Sequence, residues 1–352
     1  MLSEEQQDGH LLIYDLAPPQ GRVQQIIHVN GVLSDVGKQL RDLETLTWLT
    51  VDQPMDIIGV HNSTHGIYTD CMESILGRAE LFRTWAQNRP RDPGEDSRLN
   101  NYGRCVQQLV DLDLPHDCDI LQAISTSSSR ATTGVKQWAG GIAAQLGFDL
   151  SCVKTPLLQS MGNSELLAYL YGDYPAGAPR PTLRLAYEII RAMRQGAQVY
   201  VVAHSQGTII AALAFHLLER FFADYQKWTE SLHFIGYGPA ILLADLPLVI
   251  RDRTILIQAR TDSVAESFSN WRQTAPWSNL QSQLKKLAEN AEQLVQLVNA
   301  DSHHSASHYL GLQGNPAGLQ AAALLQQLLL QSWETPLIKP LCHTRIILEN
   351  PQ

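Results

Sequence analysis

The sequence predicts an α/β protein built on a doubly wound, mostly parallel sheet with helices on both faces. Two observations carry this. Short, nearly continuous Val/Ile/Leu runs end at turn residues, as strands covered on both faces do. Between them lie segments with helical spacing of apolar residues, and alternation of strand and helix is how a parallel sheet is connected. The composition agrees: 44% of residues are apolar and only 17% charged, against a usual charged share of about 25%.

The strand candidates run in order along the chain. Val23–Val29 ends at Asn30-Gly31, and Asp56–His61 ends at Asn62-Ser63. Gln198–Ala203 runs into His204-Ser205, Leu232–Tyr237 ends at Gly238-Pro239, and Thr254–Ala259 meets a polar turn at Thr261-Asp262. Leu294–Val298 is a further candidate before Asn299-Ala300-Asp301. Helical patterns fill the gaps. Pro181–Gln195 opens on proline, repeats apolar residues at Leu183, Ala186, Tyr187, Ile190 and Met193, and stops at Gly196. Gly207–Phe222 is strongly apolar, Leu280–Glu292 is amphipathic, and Ala317–Trp333 is a long closing helix.

The length of 352 residues suits one large α/β domain with insertions, or two ordinary domains. We read a single domain over residues 1–352. From about Asp70 to Arg180 the strand–helix rhythm is lost. That stretch holds a charged turn at Arg89–Arg98, a Ser/Thr-rich run at Ser125–Thr133 and a Gly/Pro-rich segment at Tyr171–Pro181. It reads as an insertion or cap over residues 70–180; further sheet topology is the alternative. The apolar run Ala240–Ile250 reads as core, or as an acyl pocket or lid.

Several function classes are disfavoured. The formal net charge is −9 with no Lys/Arg block, so no nucleic-acid partner and no anionic membrane surface is expected. Five scattered cysteines with no Cys-x-x-Cys pair suit a reduced compartment. Residues Met1 to Asp8 lack the basic and apolar regions of a signal peptide. No apolar run approaches the ~18–20 residues of a membrane span, so no integral membrane segment is expected. These traits suggest a soluble cytoplasmic protein. The oligomeric state is left open.

The chemistry centres on Val199 to Thr208 (VYVVAHSQGT). An apolar strand meets Ala203-His204-Ser205-Gln206-Gly207, and a helix follows. This is the small-x-Ser-x-Gly arrangement of a nucleophile elbow. A serine on a sharp strand-to-helix turn projects its hydroxyl above the sheet. Because the two backbones then run close together, small residues are needed two positions either side, here Ala203 and Gly207. The helix N-terminus points its N–H groups at developing negative charge. The competing reading is a serine in an ordinary strand–helix turn of a ligand-binding domain.

With these residues the chain resembles the α/β-hydrolase superfamily, particularly its lipase- and esterase-like members. Ala203 departs from the commoner glycine. The resemblance covers Val23–His61 and Pro181 to the C-terminus, not the stretch between. It implies an acid and then a histidine after the serine. Asp262, in the turn after Thr254–Ala259, fits the acid; Asp245 is the runner-up, and an N-cap role is the bland reading of Asp262. His303, His304 and His308 compete for the base. His304 is preferred, because His304 through Leu310 matches a His-Ser-x-x-x-Tyr-Leu pattern seen in many members, with Ser305 capping a short helix; His308 is the alternative. The family also implies an oxyanion hole. Gln206 supplies one backbone N–H, and Val32 or Leu33, after Gly31, supplies the other. A plain turn at Asn30-Gly31 explains that segment equally well on local grounds. The turn His61 to Gly66 reads as ordinary turn chemistry, or as part of the site mouth. His304 and His308, spaced i, i+4 with Asp301 nearby, also admit a metal reading. The sequence has no His-Glu-x-x-His to support it, and neither metal nor cofactor is expected.

The resulting expectation is a serine hydrolase of carboxylic esters, lipid esters included, acting through a Ser205 acyl-enzyme. The partner is then a small-molecule or lipid ester. An acyltransferase, thioesterase or amidase with the same triad, or a catalytically silent binding protein of this fold, are the alternatives.

Overall fold

The computed structural model describes residues 11–15, 24–53, 55–64, 179–267 and 302–349, with isolated positions 9, 70, 74, 77, 81 and 106. The expected helix Leu280–Glu292, the strand Leu294–Val298 and nearly all of the 70–180 cap lie outside the described residues.

Among the described residues, seven strands form one sheet in the order β1-β3-β2-β4-β5-β6-β7. They are β1 (Leu11–Asp15), β2 (Gln24–Val29), β3 (Asp56–Val60), β4 (Gln198–His204), β5 (Leu232–Tyr237), β6 (Thr254–Ala259) and β7 (Thr344–Leu348). Only β1, which pairs with β3, is antiparallel; every other pairing is parallel. β4 lies at the centre, and its residues from Val199 to His204 are all buried. This is the α/β architecture that the apolar runs imply.

Helices cover both faces. The longer ones are α1 (Val36–Leu49), α2 (Pro179–Arg194), α3 (Gln206–Phe221) and α5 (Pro316–Leu330); α4 (Ala306–Tyr309) is a single turn. One core packs α2 and α3 against Ile27, Val29, Val201 and Phe234. The other packs Leu43 and Leu46 of α1 and Leu325 and Leu328 of α5 against Ile26, Tyr200, Tyr237 and Ile257. Successive strand residues alternate between the two, as the pleat requires.

α2 stops as its sequence suggests. Gly196 has φ +76°, and the N–H groups of Gly196 and Ala197 bond back to Met193 and Ala192. α5 ends at Leu330, short of the expected Trp333. Gln331 is already extended, at ψ 148°, and the indole N–H of Trp333 folds back onto the Leu328 carbonyl at 2.9 Å. Among the described residues no helix is long and apolar enough to cross a membrane.

The topology has one consequence for function. β2 leads through α1 to β3 on one side, while β4 lies against β2 on the other. The winding direction therefore reverses between β2 and β4. At such a switch point the loops at the strand carboxyl ends part and leave a crevice where ligands bind. The loop after β2 carries Gly31, and the end of β4 carries Ser205.

Candidate active site

Ser205 occupies the turn between β4 and α3 with φ 50° and ψ −121°. A non-glycine residue at positive φ is strained by the contact of its Cβ with backbone. Here the surroundings impose it. The Ser205 N–H donates to the Tyr237 carbonyl of β5 at 3.3 Å, and the Ser205 carbonyl accepts from the Thr208 N–H at 2.9 Å. The Thr208 hydroxyl donates to that same carbonyl at 2.6 Å and accepts from the Ala240 N–H at 3.0 Å.

The need for small neighbours is visible in the contacts. A Cβ on Gly207 would meet the Val29 carbonyl oxygen at 2.4 Å and that of Asn30 at 2.8 Å. Only glycine lets α3 begin so close to the end of β2. Gly31 lies against the serine itself: a Cβ there would stand 2.7 Å from Ser205 Cβ and 2.8 Å from His204 Nδ1.

Three side chains from three segments meet at this turn. Ser205 Oγ lies 2.7 Å from His304 Nε2. His304 Nδ1 lies 2.9 Å from Asp262 Oδ1 and 3.0 Å from Oδ2. Because a carboxylate only accepts, the Nδ1 proton points at Asp262, and Nε2 of the neutral ring is left to accept the Ser205 hydroxyl proton. All three side chains are buried. His304 ends the helical turn Ser302–His304, and Ser305 caps α4 by accepting from the His308 N–H.

The rivals point elsewhere. His308 Nδ1 accepts from the Asn315 amide at 2.8 Å, and His303 packs edge-on against the His308 ring. The i, i+4 pair therefore does not converge: both His304 nitrogens are taken up by Ser205 and Asp262. Asp245 sits in another turn, where it accepts the Leu242 N–H at 2.6 Å.

Asp262 satisfies both readings of the sequence at once. Oδ1 accepts the Ala265 N–H at 2.8 Å, capping the helical turn at residues 263–267, while the same carboxylate faces His304. Tyr309 donates its hydroxyl to Oδ2 at 2.6 Å and accepts the Ala259 N–H at 2.9 Å. Burial alone would raise the Asp262 carboxyl. The adjacent His304, the Ala265 N–H and the Tyr309 hydroxyl outweigh it and hold the pKa below the usual carboxylate value.

His204 acts as scaffold. Burial pushes its pKa down to about 3, so the ring is neutral. Its Nε2 proton goes to the His304 carbonyl at 2.7 Å, since a carbonyl only accepts. The loop that carries His304 is thus tied to the strand that carries the serine. The ring also stacks on Tyr237, with centroids 5.0 Å apart.

The loop after β2 is joined to the turn after β3 by two asparagines. Asn30 donates to the Asn62 carbonyl at 2.7 Å, and its Oδ1 accepts the Asn62 N–H at 2.7 Å. The Asn62 amide then donates to Gln206 Oε1 at 2.7 Å. The turn after β3 therefore does reach the site, through Asn62. The two donors named on this loop differ. The Leu33 N–H donates to Asp70 Oδ2 at 3.2 Å, and Asp70 is also held by the Thr64 hydroxyl. Leu33 is thereby fixed at φ 57° with its donor committed, so of the two residues named on this loop only Val32 stays a candidate donor.

Comparison of the chain with protein-family models, with curated proteins and with solved structures gave no match. The site geometry can deliver a serine alkoxide, move a proton across one imidazole, and hold the imidazolium beside a carboxylate.

Proposed function

We propose that the protein is a serine hydrolase of the α/β-hydrolase type that cleaves carboxylic esters through a Ser205 acyl-enzyme. The observation that carries this is the unbroken chain Asp262–His304–Ser205, with the serine at φ 50° on a strand-to-helix turn. A buried, mutually oriented carboxylate, imidazole and hydroxyl at a sheet's carboxyl edge is the arrangement that acyl transfer requires.

Ser205 Oγ attacks the ester carbonyl carbon as its proton passes to His304 Nε2. The carbonyl π pair moves onto oxygen. The backbone N–H of Gln206 and that of Val32 are the donors assigned to this oxyanion. As the tetrahedral adduct collapses, the C–O bond to the alcohol breaks, and the leaving oxygen takes the proton from Nε2. Water then repeats the sequence in reverse roles, and Ser205 Oγ leaves with the proton. Asp262 keeps the ring in the correct tautomer and stabilises the imidazolium. Asn62, through the Gln206 side chain, and His204, through the His304 carbonyl, are positioning residues.

Pre-steady-state hydrolysis of p-nitrophenyl butyrate tests the reading. A nitrophenolate burst stoichiometric with protein, followed by slower turnover, is expected of an acyl-enzyme. Absence of hydrolysis across short and long p-nitrophenyl esters would refute it.

A further inference from the structure

Gly31 to Ser34 connect β2 to the capped start of α1, and the loop is fixed at both ends. A Cβ on Gly31 would stand 2.7 Å from Ser205 Cβ, so the backbone there already touches the nucleophile's turn. At the other end Asp35 caps α1 by accepting the Lys38 N–H at 2.7 Å. The Asn30 amide ties the Ser34 carbonyl back to the end of β2 at 3.3 Å. The Val32 N–H has no hydrogen-bond partner among the described residues. Val32 lines a cavity of about 300 Å³ that opens beside His304.

Leu33 is the strained member of the loop. Its φ of 57° is left-handed backbone, where Cβ crowds the neighbouring peptide. Leucine has neither the freedom of glycine nor the short polar side chain that lets asparagine visit this region. The conformation is therefore imposed, through bonds to the two polar groups of Leu33 itself. Asp70 Oδ2 accepts its N–H at 3.2 Å, and Lys38 Nζ donates to its carbonyl at 2.7 Å.

The two halves of this clamp differ in rigidity. Lys38 is an exposed side chain on a long flexible stem. Asp70 is 1% exposed. Its Oδ2 also accepts from the Thr64 hydroxyl, and the Ser74 hydroxyl donates to its carbonyl at 2.9 Å. Without Asp70, Leu33 would return to negative φ. The capped α1 anchors the chain beyond it, so the change of course falls on Val32 and Gly31, where contact with Ser205 leaves no slack.

We propose that Asp70 is a positioning residue for the oxyanion hole: by holding Leu33 left-handed, it keeps the Val32 N–H directed at the reacting carbonyl. This rests on the serine-hydrolase reading and adds to it a residue outside the triad.

The test follows hydrolysis of p-nitrophenyl butyrate, with competent sites counted by fluorophosphonate titration. Trifluoromethyl propyl ketone is the oxyanion probe. Ser205 Oγ adds to its carbonyl carbon, the π pair moves onto oxygen, and His304 Nε2 takes the serine proton. Asp70→Ala should lower kcat about tenfold, the factor by which left-handed backbone is disfavoured for a non-glycine residue, with KM little changed. The inhibition constant of the ketone should rise by a similar factor. Asp70→Asn keeps an acceptor and should recover most of the loss. In a Leu33→Gly background left-handed backbone is freely adopted, so adding Asp70→Ala there should lower kcat much less than it does in the wild type. Thr64→Val removes only the hydroxyl that steadies Asp70, and should give a smaller loss of the same kind; it decides the matter if Asp70→Ala does not fold. An unchanged kcat, a loss confined to KM, an unchanged ketone constant, or an equal loss in the Leu33→Gly background would each overturn the proposal while leaving the hydrolase reading intact. A wild type that hydrolyses no p-nitrophenyl ester would strike the hydrolase reading, and this inference with it.

Discussion

Replacing Tyr309 by phenylalanine isolates the oxygen that holds the acid in place. The ring packs against Tyr237 and His308, with centroids 5.8 Å and 5.2 Å away, and phenylalanine preserves those contacts. What is lost is a donor to Asp262 Oδ2 at 2.6 Å and an acceptor for the Ala259 N–H at 2.9 Å. A hydrogen bond to a charged group contributes about 1.5–3 kcal/mol, and a stranded buried N–H costs about 1–3 kcal/mol. Together Tyr309→Phe should lose roughly 3–5 kcal/mol of stability near pH 7, read from urea midpoints at constant m. The sign of its pH dependence follows from the depressed Asp262 carboxyl. The stability that carboxylate contributes is fully present above its unfolded value and is lost as pH falls through the folded one. The gap between wild type and variant should therefore narrow below about pH 4, near the ordinary Asp pKa. Freed of one restraint, Asp262 should also orient His304 less well, and kcat should fall by about tenfold or more. A variant within about 0.5 kcal/mol of wild type, the ordinary range for a surface change, and with full turnover would show that the hydroxyl does not hold Asp262.

Three further outcomes are expected. Gly31→Ala puts a methyl 2.7 Å from Ser205 Cβ. The β2 loop must then retreat from the elbow, and kcat should drop about a hundredfold with the far-ultraviolet spectrum unchanged; near-normal turnover would contradict that contact. His304→Ala should lower kcat by several orders of magnitude, about 10⁴ or more. His308→Ala should cost far less and act mainly on stability, since its ring bonds Asn315; the reverse ranking would reassign the base. Four buried histidines, His28, His204, His216 and His233, are held neutral chiefly by burial, at about 3, 3, 4 and 3. Their folded values lie below the unfolded value of about 6.5, so the unfolded chain binds more protons between the two. Stability should therefore fall as pH drops from about 6.5 towards 4, by roughly 1–2 kcal/mol per histidine at pH 5. A flat urea midpoint across that interval would refute this.

The parts of the fold legible in the sequence were those whose residues are buried on both faces. Strands β2 to β6 are near-continuous apolar runs, and each appears within a residue or two of its expected bounds. The edge strands escaped notice for the complementary reason. In β1 only Leu11 is buried, and no residue of β7 is. α1 was missed because its inner face carries Gln39 and Asp42 beside Leu43 and Leu46, which interrupts the apolar spacing. In the site, the signal was strong where chemistry and backbone share a requirement. Ser205 needs Gly207 for its turn, and Asp262 follows a strand, so both can be read locally. The supporting groups could not be found so. Tyr309 reaches Asp262 across 47 residues of chain and Asn62 reaches Gln206 across 144. Their amide and hydroxyl groups carry no local mark of the partner they meet. The bond from the Leu33 N–H to Asp70 is unmarked in the same way, since nothing near Leu33 announces Asp70.

Labelling with a fluorophosphonate, followed by mass mapping of the modified peptide, asks whether Ser205 is an activated nucleophile. The hydrogen-bonded chain from Asp262 through His304 calls for one phosphonyl group per protein, located on Ser205. Labelling should be lost in Ser205→Ala while that variant keeps the wild-type stability, read from its urea midpoint and m, to within about 1 kcal/mol, because only a hydroxyl has been removed. An unlabelled wild-type protein, or a Ser205→Ala variant that still takes up the reagent at near the wild-type rate, would mean that the chain of hydrogen bonds does not activate this serine.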